Sequence, residues 1–189
     1  MKVNTESISF MQDKRLRKSR QMFDGAILQL YVNELELDSG QIVERELIHH
    51  QPAVAILATT VDNRVILVKQ FRPAIVDYIY EVPAGILDKG ASENAVEGAA
   101  RELEEETGYR ASQLQKVAKF YVSPGYLNEL ITLYHASGLV KVDHPLPQDA
   151  DEDVEAFLFT QKEVRDMLAQ GEIVDLKTLY ALQYWLTQS

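Results

Sequence analysis

The chain has 189 residues, of which 46% are hydrophobic and 25% charged, a composition that predicts one substantial globular domain with its own core. Its formal net charge of -10 disfavours general binding to nucleic acids, because their phosphate backbones carry the same sign. Cysteine is absent, which excludes thiolate metal sites, and the presence of only four histidines disfavours a histidine-rich zinc site. We therefore expect any catalytic metal to be held by oxygen, as Mg²⁺ or Mn²⁺ is.

The N-terminal segment has neither the basic start nor the apolar run that marks a signal peptide. The longest apolar stretch, residues 53–58, is too short to span a bilayer. We therefore expect a cytoplasmic protein without membrane contact. A basic cluster near the N-terminus is interpreted as a solvated arm or a dimer contact, with phosphate or nucleic-acid binding as the alternative: Lys14, Arg15, Arg17, Lys18 and Arg20.

Loosely alternating apolar residues over 23–37 predict a strand, and an Asp-Ser-Gly turn leads into a second predicted strand over 42–48. The two strands form a predicted β-hairpin. We therefore divide the chain into an N-terminal arm and β-hairpin, residues 1–50, and a main domain, residues 51–189.

The main domain opens with two apolar segments, 53–60 and 64–69, which predict adjacent buried strands. A short extended segment at 79–82 is stopped by Pro83, which cannot continue a sheet ladder. Three further strands are predicted at 114–122, 130–137 and 154–159.

The longest predicted helix covers residues 93–107. Asn94, with Glu97 three residues later, has the pattern of a capping box, and Ser92 is the alternative cap. Gly108 is placed to end the helix in the left-handed conformation.

Two helices follow near the C-terminal end. Thr160 and Glu163 predict the cap of the first, and the second covers about 175–186. The apolar positions of the second are predicted to face the core: Leu176, Leu179, Tyr180 and Leu186. This order of strands and helices predicts an α/β sandwich, with helices flanking a mixed sheet.

Three glutamates share one side of the longest predicted helix: Glu102, Glu105 and Glu106. Like charges at neighbouring helical positions repel by roughly 0.2–0.5 kcal/mol per pair. A hard divalent cation reverses that repulsion, because carboxylate oxygens are its preferred ligands. Arg101 lies four residues before Glu105 and can hold the carboxylates in place. A solvated acidic face is the alternative interpretation.

A sharp turn is predicted just upstream of this helix. Pro83 and Gly85 end a strand and let the backbone turn towards the glutamates. A carbonyl freed in that turn, such as that of Ala84, can face the same metal ion.

The helix and its flanks resemble the Nudix family, whose signature is Gly-x5-Glu-x7-Arg-Glu-apolar-x-Glu-Glu-x-Gly-apolar. From the first glutamate onward every fixed place is matched, by Glu93, Arg101, Glu102, Leu103, Glu105, Glu106, Gly108 and Tyr109. The chain departs from the signature at Gly85, which lies two residues further from Glu93 than the signature requires. A two-residue insertion in the loop 87–92 is the simplest explanation.

The resemblance implies a Nudix α/β/α sandwich with a mixed sheet, preceded here by the N-terminal β-hairpin region. It implies Glu102, Glu105, Glu106 and the carbonyl of Ala84 as ligands of Mg²⁺, with Mn²⁺ as a possible substitute. Glu93 would stabilise the turn from loop to helix.

Within the family the chain is most similar to ADP-ribose pyrophosphatases. Pro124 stands 15 residues after Tyr109, close to the spacing of that subgroup, and the segment from Pro124 and Gly125 to Glu129 resembles its substrate loop. The Gln-Phe-Arg sequence that ends at Arg72, and Arg45 with its following glutamate, also resemble the subgroup. The resemblance implies a homodimer formed through the N-terminal strands, which can contribute to the partner's nucleobase site.

Several residues are candidates for contact with the substrate or the attacking water. We expect Glu152, in an acidic loop that resembles the mobile glutamate loop of related enzymes, to be the general base, although a solvated turn is the alternative. Glu105, Glu129 and Glu155 are substitutes for this role.

Arg72 can clamp the substrate's phosphate through its guanidinium, or form only a surface salt bridge. Glu81 can orient Arg72, or accept a hydrogen bond from the ribose or base. Arg45 is a weaker candidate for binding the substrate's phosphate.

The predicted activity is Mg²⁺-dependent cleavage of the pyrophosphate of ADP-ribose to AMP and ribose 5-phosphate. The first alternative is a pyrophosphatase for another nucleoside diphosphate sugar, such as GDP-mannose or ADP-glucose, with the same metal-binding residues. The second is a ligand-binding Nudix regulator without catalysis, which the retained glutamates disfavour. A nucleoside triphosphate hydrolase of the same family is disfavoured by the N-terminal hairpin and Pro124.

Overall fold

The computed structural model of the chain describes residues 8–87, 94–148 and 153–188. These residues form two compact units. The first holds the described residues up to Pro52 together with Tyr121–Leu130, and the second holds Ala53–Phe120 and the described residues from Ile131 onward. No helix in this part of the chain has the length and apolar character that crossing a membrane requires.

The first unit contains a three-stranded antiparallel sheet in the order β1-β2-β3. Its strands are β1 (Leu16–Asp24), β2 (Leu28–Glu36) and β3 (Ile42–His50), and a short 3-10 helix, Ser9–Gln12, precedes them. The predicted hairpin is β2 and β3, but the prediction of one strand over 23–37 is wrong. The chain reverses after Asp24, where the Gly25 N–H donates to the carbonyl of Leu28 at 3.0 Å, so a third strand joins the sheet.

Part of the basic cluster lies on this third strand and not in an arm, which corrects that half of the interpretation, although the side chains are exposed as expected. Arg17, Lys18 and Arg20 lie on β1, and each faces an acidic residue of β2 or β3. The nitrogen–oxygen distances are 2.5 Å to Glu36, 3.7 Å to Glu34 and 2.6 Å to Glu44. Opposite charges on neighbouring strands favour pairing, as in the two contacts with β2, and Arg20 reaches across β2 to Glu44 on β3. A reading of the local sequence reveals neither kind of contact.

The second unit is built on a mixed sheet in the order β10-β5-β4-β9-β8, with β6 added to β5 and β7 added to β4. β4 pairs parallel with β9 and antiparallel with β5 and β7. The strands are β4 (Ala53–Thr59), β5 (Arg64–Arg72), β6 (Asp77–Glu81), β7 (Ala84–Ile86), β8 (Tyr109–Tyr121), β9 (Leu130–Lys141) and β10 (Val154–Thr160). The helices are α1 (Ala95–Thr107), α2 (Gln161–Gln170) and α3 (Leu176–Thr187).

The core of this unit lies around β4, which is buried at every position, as expected for a strand covered on both faces. Val54 and Ile56 pack in one cluster with Ala99 and Leu103 of α1, and α3 also contacts β4. Helices therefore flank a mixed sheet, and the predicted fold class is confirmed.

The buried face of α3 differs from the prediction. Leu176 and Tyr180 are 58% and 44% exposed, whereas the buried positions are Lys177, Thr178, Ala181, Leu182 and Trp185. The prediction failed because it assigned apolar residues to the core, while two polar side chains occupy the first buried positions. Their partners lie at the end of β6, within the candidate site.

Candidate active site

Helix α1 is fixed at both ends by local bonds. The side chain of Asn94 accepts from the N–H groups of Val96 and Glu97, Glu97 completes the capping box, and Gly108 ends the helix at φ 72°. The predicted caps are confirmed. They set the register in which Leu103 enters the core while Glu102 and Glu106, 6% and 4% exposed, turn towards β7.

Arg101 joins two of the three glutamates. Its Nη1 lies 2.7 Å from Oε1 of Glu102 and 2.7 Å from Oε2 of Glu105, and its Nη2 donates to the carbonyl of Ile86 at 3.3 Å. All of these side chains are largely shielded from water. The arginine therefore holds two carboxylates side by side and ties them to the end of β7.

The third glutamate bonds directly to β7. The N–H of Ala84 donates to Oε2 of Glu106 at 3.0 Å, whereas the neighbouring carbonyl of Pro83 accepts from Ile56 of β4. In an antiparallel pair the N–H and carbonyl of one residue point to the same side. The Ala84 carbonyl is therefore directed away from β4, on the side where Glu106 lies.

Gly85 permits the close approach of β7 to α1. A Cβ atom built on Gly85 would lie 2.1 Å from the carboxyl carbon of Glu102, closer than non-bonded atoms allow. A side chain at this position would force the Glu102 carboxylate to move, so the glycine allows that carboxylate to lie against β7.

The chemistry of these groups fits a hard divalent cation. Three carboxylates and one carbonyl are oxygen donors of the type that Mg²⁺ and Mn²⁺ prefer. Within the described ranges, however, no three acidic or histidine side chains already converge as metal ligands. Arg101 bridges Glu102 and Glu105 in this arrangement, so metal binding would require these carboxylates to reorient.

Glu104 is a fourth buried glutamate of α1, and it points elsewhere. Arg110 contacts it through two nitrogens, at 2.5 and 2.8 Å, and the N–H of Leu146 donates to it at 3.3 Å. The hydrogen bonds from Arg110 lower the pKa of Glu104 despite the cost of desolvation. Its contacts are structural and separate it from Glu102, Glu105 and Glu106.

Arg72 and Glu81 form a second charged group, at the ends of β5 and β6. Nε of Arg72 donates to Oε2 of Glu81 at 2.6 Å, and Nζ of Lys177 donates to Oε1 of Glu81 at 2.5 Å. Burial acts to lower the pKa of Arg72, but the bond to Glu81 and the charges of Glu81, Glu106 and Asp175 raise it. The sequence analysis missed Lys177, because a charged residue in the first turn of a helix gives no signal of burial.

The remaining predicted substrate residues lie in the first unit. Arg45 is exposed on β3, and its Nη1 donates to the carbonyl of Glu44. Glu129 lies 3.4 Å from the ring of His50. Pro124 lines a cavity of about 290 Å³ with Tyr121, Tyr126 and others, and open space surrounds Gly125.

Asn128 fastens this loop to β3 and was not predicted. Its N–H donates to the carbonyl of Ile48 at 3.2 Å, and its Oδ1 accepts from the N–H of His50 at 3.0 Å. Its side chain also contacts the ring of His49, whose pKa is lowered by burial although this hydrogen bond opposes the shift. The two histidines therefore have structural partners.

Glu93 and Glu152 lie outside the described residues. Within them, the structure brings Arg101, Glu102, Glu105 and Glu106 together with Ala84 at the junction of β7 and α1. Arg72 and Glu81 meet in the same unit, and Arg45, Pro124, Gly125 and Glu129 belong to the other.

Known proteins resemble the chain along most of its length. A family model described as the NUDIX domain matches residues 49–182. The chain is 40% identical over 174 residues to an ADP-ribose pyrophosphatase of Bacillus subtilis (strain 168), with 92% of each covered. It is 38% identical over 172 residues to the methanol dehydrogenase activator of Bacillus methanolicus, with 91% and 92% covered. A crystal structure of an ADP compounds hydrolase has a TM-score of 0.79 at 22% identity, covering 92% of this chain and 91% of that one, and supports the fold alone.

Proposed function

Because this chain belongs to the Nudix family and is an ADP-ribose pyrophosphatase-like hydrolase, we propose that it cleaves the pyrophosphate bond of ADP-ribose to give AMP and ribose 5-phosphate. One observation carries the proposal. The junction of β7 and α1 holds three carboxylates within reach of one backbone segment, and Arg101 orders two of them.

In this mechanism Glu102, Glu105, Glu106 and the Ala84 carbonyl would hold Mg²⁺, or Mn²⁺ in its place. When bound, such an ion neutralises phosphate oxygens and lowers the pKa of water. Arg101 keeps the carboxylates of Glu102 and Glu105 adjacent, and both would reorient from it to hold the ion. Divalent metal ions are typical of Nudix hydrolases.

A protein carboxylate completes the proton transfer by accepting the proton of the attacking water. We assign this role to Glu152 and keep Glu105 as the substitute, because Glu105 already lies among the metal-binding carboxylates. Glu129, in the first unit, and Glu155, exposed on β10, are further substitutes. The rate should fall in acidic solution as the base becomes protonated. Changing each candidate to glutamine identifies the base as the residue whose loss removes this acidic limb of the pH–rate profile.

The substrate's phosphates would be bound by Arg72, which Glu81 orients through Nε. A guanidinium binds phosphate through two donors, which suits this position. Arg45, Pro124, Gly125 and Glu129 are proposed to contact the nucleoside or sugar of the substrate.

We expect Glu106→Gln to lower turnover of ADP-ribose by more than about 100-fold, because even changes to groups that support metal ligands cost 10–100-fold. Release of AMP in the presence of Mg²⁺ is the measurement. Glu172→Gln, a change at an exposed glutamate after α2, is the matched control and should keep full activity. Full turnover by the Glu106 variant would refute the metal assignment.

The second candidate is a pyrophosphatase for GDP-mannose or ADP-glucose, since identity of 40% supports the subgroup but not one substrate. Incubation with a panel of nucleotide sugars separates the two. Preferential release of GMP from GDP-mannose would favour this alternative. Absence of hydrolysis, with retained binding, would favour a regulator without catalysis.

We also propose that the N-terminal region, residues 1–50, serves as the element through which two copies form a homodimer. Its sheet and the turn between β1 and β2 expose several large apolar side chains, which are commonly buried in interfaces: Met22, Phe23, Ile27 and Ile42.

A further inference from the structure

Lys177 is a buried cation whose role is separate from the metal-binding carboxylates. Its side chain is 10% exposed, and Nζ lies 2.5 Å from Oε1 of Glu81 and 3.1 Å from Oδ2 of Asp175. Removing an ammonium group from water is costly unless its charge is paired. The lysine therefore occupies this position only because these carboxylates surround it.

The first turn of α3 holds this lysine firmly. Asp175 caps the helix by accepting from the N–H and the hydroxyl of Thr178, at 2.9 and 2.6 Å. The hydroxyl of Thr178 in turn accepts from the N–H of Val82 at 2.9 Å, directly after Glu81 in the chain. The start of α3 and the end of β6 are thus locked together, with Lys177 and Glu81 between them.

Lys177 determines how Glu81 can bind Arg72. A carboxylate that faces an arginine alone favours two parallel hydrogen bonds, one from each of two nitrogens. Here Lys177 occupies Oε1, and Arg72 bonds to Oε2 through Nε. Among the described residues, no hydrogen-bond partner contacts the two terminal nitrogens of Arg72, and its side chain is 40% exposed.

We propose that Lys177 is a positioning residue, which holds Glu81 so that Arg72 presents both terminal nitrogens to a phosphate group of the substrate. This inference rests on the proposed function, in which Arg72 is the phosphate clamp. Lys177 also balances charge, because two cations and the carboxylates of Glu81 and Asp175 then cancel. Without it the group becomes net negative, which repels phosphate.

The test measures binding of inorganic pyrophosphate by calorimetry in metal-free buffer. We expect Lys177→Met and Arg72→Ala each to weaken binding about tenfold, the size of one lost charge-assisted hydrogen bond. The double variant should be no weaker than Arg72→Ala alone, because both changes remove the same contact. Lys162→Met, which changes an 85% exposed lysine of α2, is the matched control and should bind normally.

The kinetic constants provide a second readout, because loss of a merely structural residue would not raise KM selectively. Lys177→Met should raise KM about tenfold with kcat within about twofold, as expected when ground-state and transition-state binding are lost equally. Lys177→Arg should restore most of the affinity, because it keeps a cation beside Glu81. If Lys177→Met does not fold, as judged by thermal melting, Lys177→Gln replaces it and retains a donor without the charge.

The outcomes separate the two proposals. Additive losses in the double variant, unchanged binding by Lys177→Met or Lys177→Gln, or no pyrophosphate binding by the unmodified protein would overturn the role of Lys177. Coupled losses of pyrophosphate binding without hydrolysis of ADP-ribose would overturn the proposed function alone.

Discussion

Gly85 shows how one missing side chain can shape the candidate site. Its backbone passes so close to Glu102 that a methyl group there would overlap the carboxylate. The neighbouring Ala84 donates its N–H to Glu106, so both of these residues of β7 contact α1. We expect a change at this point to affect both stability and the carboxylates proposed to bind metal.

We therefore expect Gly85→Ala to destabilise the fold by about 1–3 kcal/mol, the usual cost of overpacking. Displacement of the Glu102 carboxylate should also weaken Mg²⁺ binding, so that a higher Mg²⁺ concentration is needed for half-maximal turnover. Thermal melting and a Mg²⁺ titration of AMP release check the two parts. An unchanged melting temperature and an unchanged titration would contradict this account of Gly85.

At the level of elements, the three-stranded sheet of the first unit exposes the large apolar side chains of Met22 and Phe23 on β1. β1 is one of the two edge strands of this sheet, and its side chains are exposed after Leu16. An edge strand offers unpaired backbone groups to a second chain. Charges from Arg17, Lys18 and Arg20 are paired within the sheet, which leaves the apolar end of β1 as the contact proposed for the dimer.

The double change Met22→Glu and Phe23→Glu should convert a dimer to a monomer, measured by sedimentation velocity. Both side chains are more than half exposed, at 56% and 55%, so the pair places two charges on the surface proposed for the dimer. Val61→Glu, at a fully exposed position between β4 and β5, is the control and should leave the mass unchanged. An unmodified protein that sediments as a monomer would contradict the dimer itself.

For the whole molecule, each unit contains a histidine that resists protonation. Burial lowers the pKa of His135 in the second unit, where Thr59 hydrogen-bonds its Nε2 at 2.7 Å, and burial also lowers the pKa of His49 in the first. Because the folded pKa lies below the unfolded value of 6.5, protons favour the unfolded chain. The contribution of these neutral histidines to the stability of the fold is complete above pH 6.5 and is lost as the pH falls from 6.5 towards the folded pKa.

Urea unfolding is measured between pH 7.5 and 5.5, at intervals of about half a unit. The free energy of unfolding should decrease as the pH decreases over this range. His135→Gln, which keeps a polar group beside Thr59, should reduce this slope. Glu104 contributes in a separate window, because its pKa is lowered from 4.5 and its stabilisation is lost only in more acidic solution. A free energy that does not change over the histidine range would contradict the prediction.

Local bonds explain why much of α1 was predictable. Asn94 and Glu97 satisfy each other within one turn, and Gly108 supplies the left-handed residue that ends the helix. Thr160 and Glu163 do the same for α2. Such caps involve residues three apart, so their pattern is complete in the sequence. The glutamate spacing and the Nudix signature depend on the same helical register, and the matching family model supports them.

Long-range partners decided the rest. Lys177 is buried because Glu81, 96 residues away in the chain, supplies its counter-charge, and the basic residues of β1 find their glutamate partners on β2 and β3. The energy of burying or pairing a charge depends on which neighbours the fold brings near, and no local pattern records them. Local sequence thus determined the helix ends, the strand candidates and the carboxylate stripe. Tertiary structure alone determined which charged side chains left water, since only there do their partners meet.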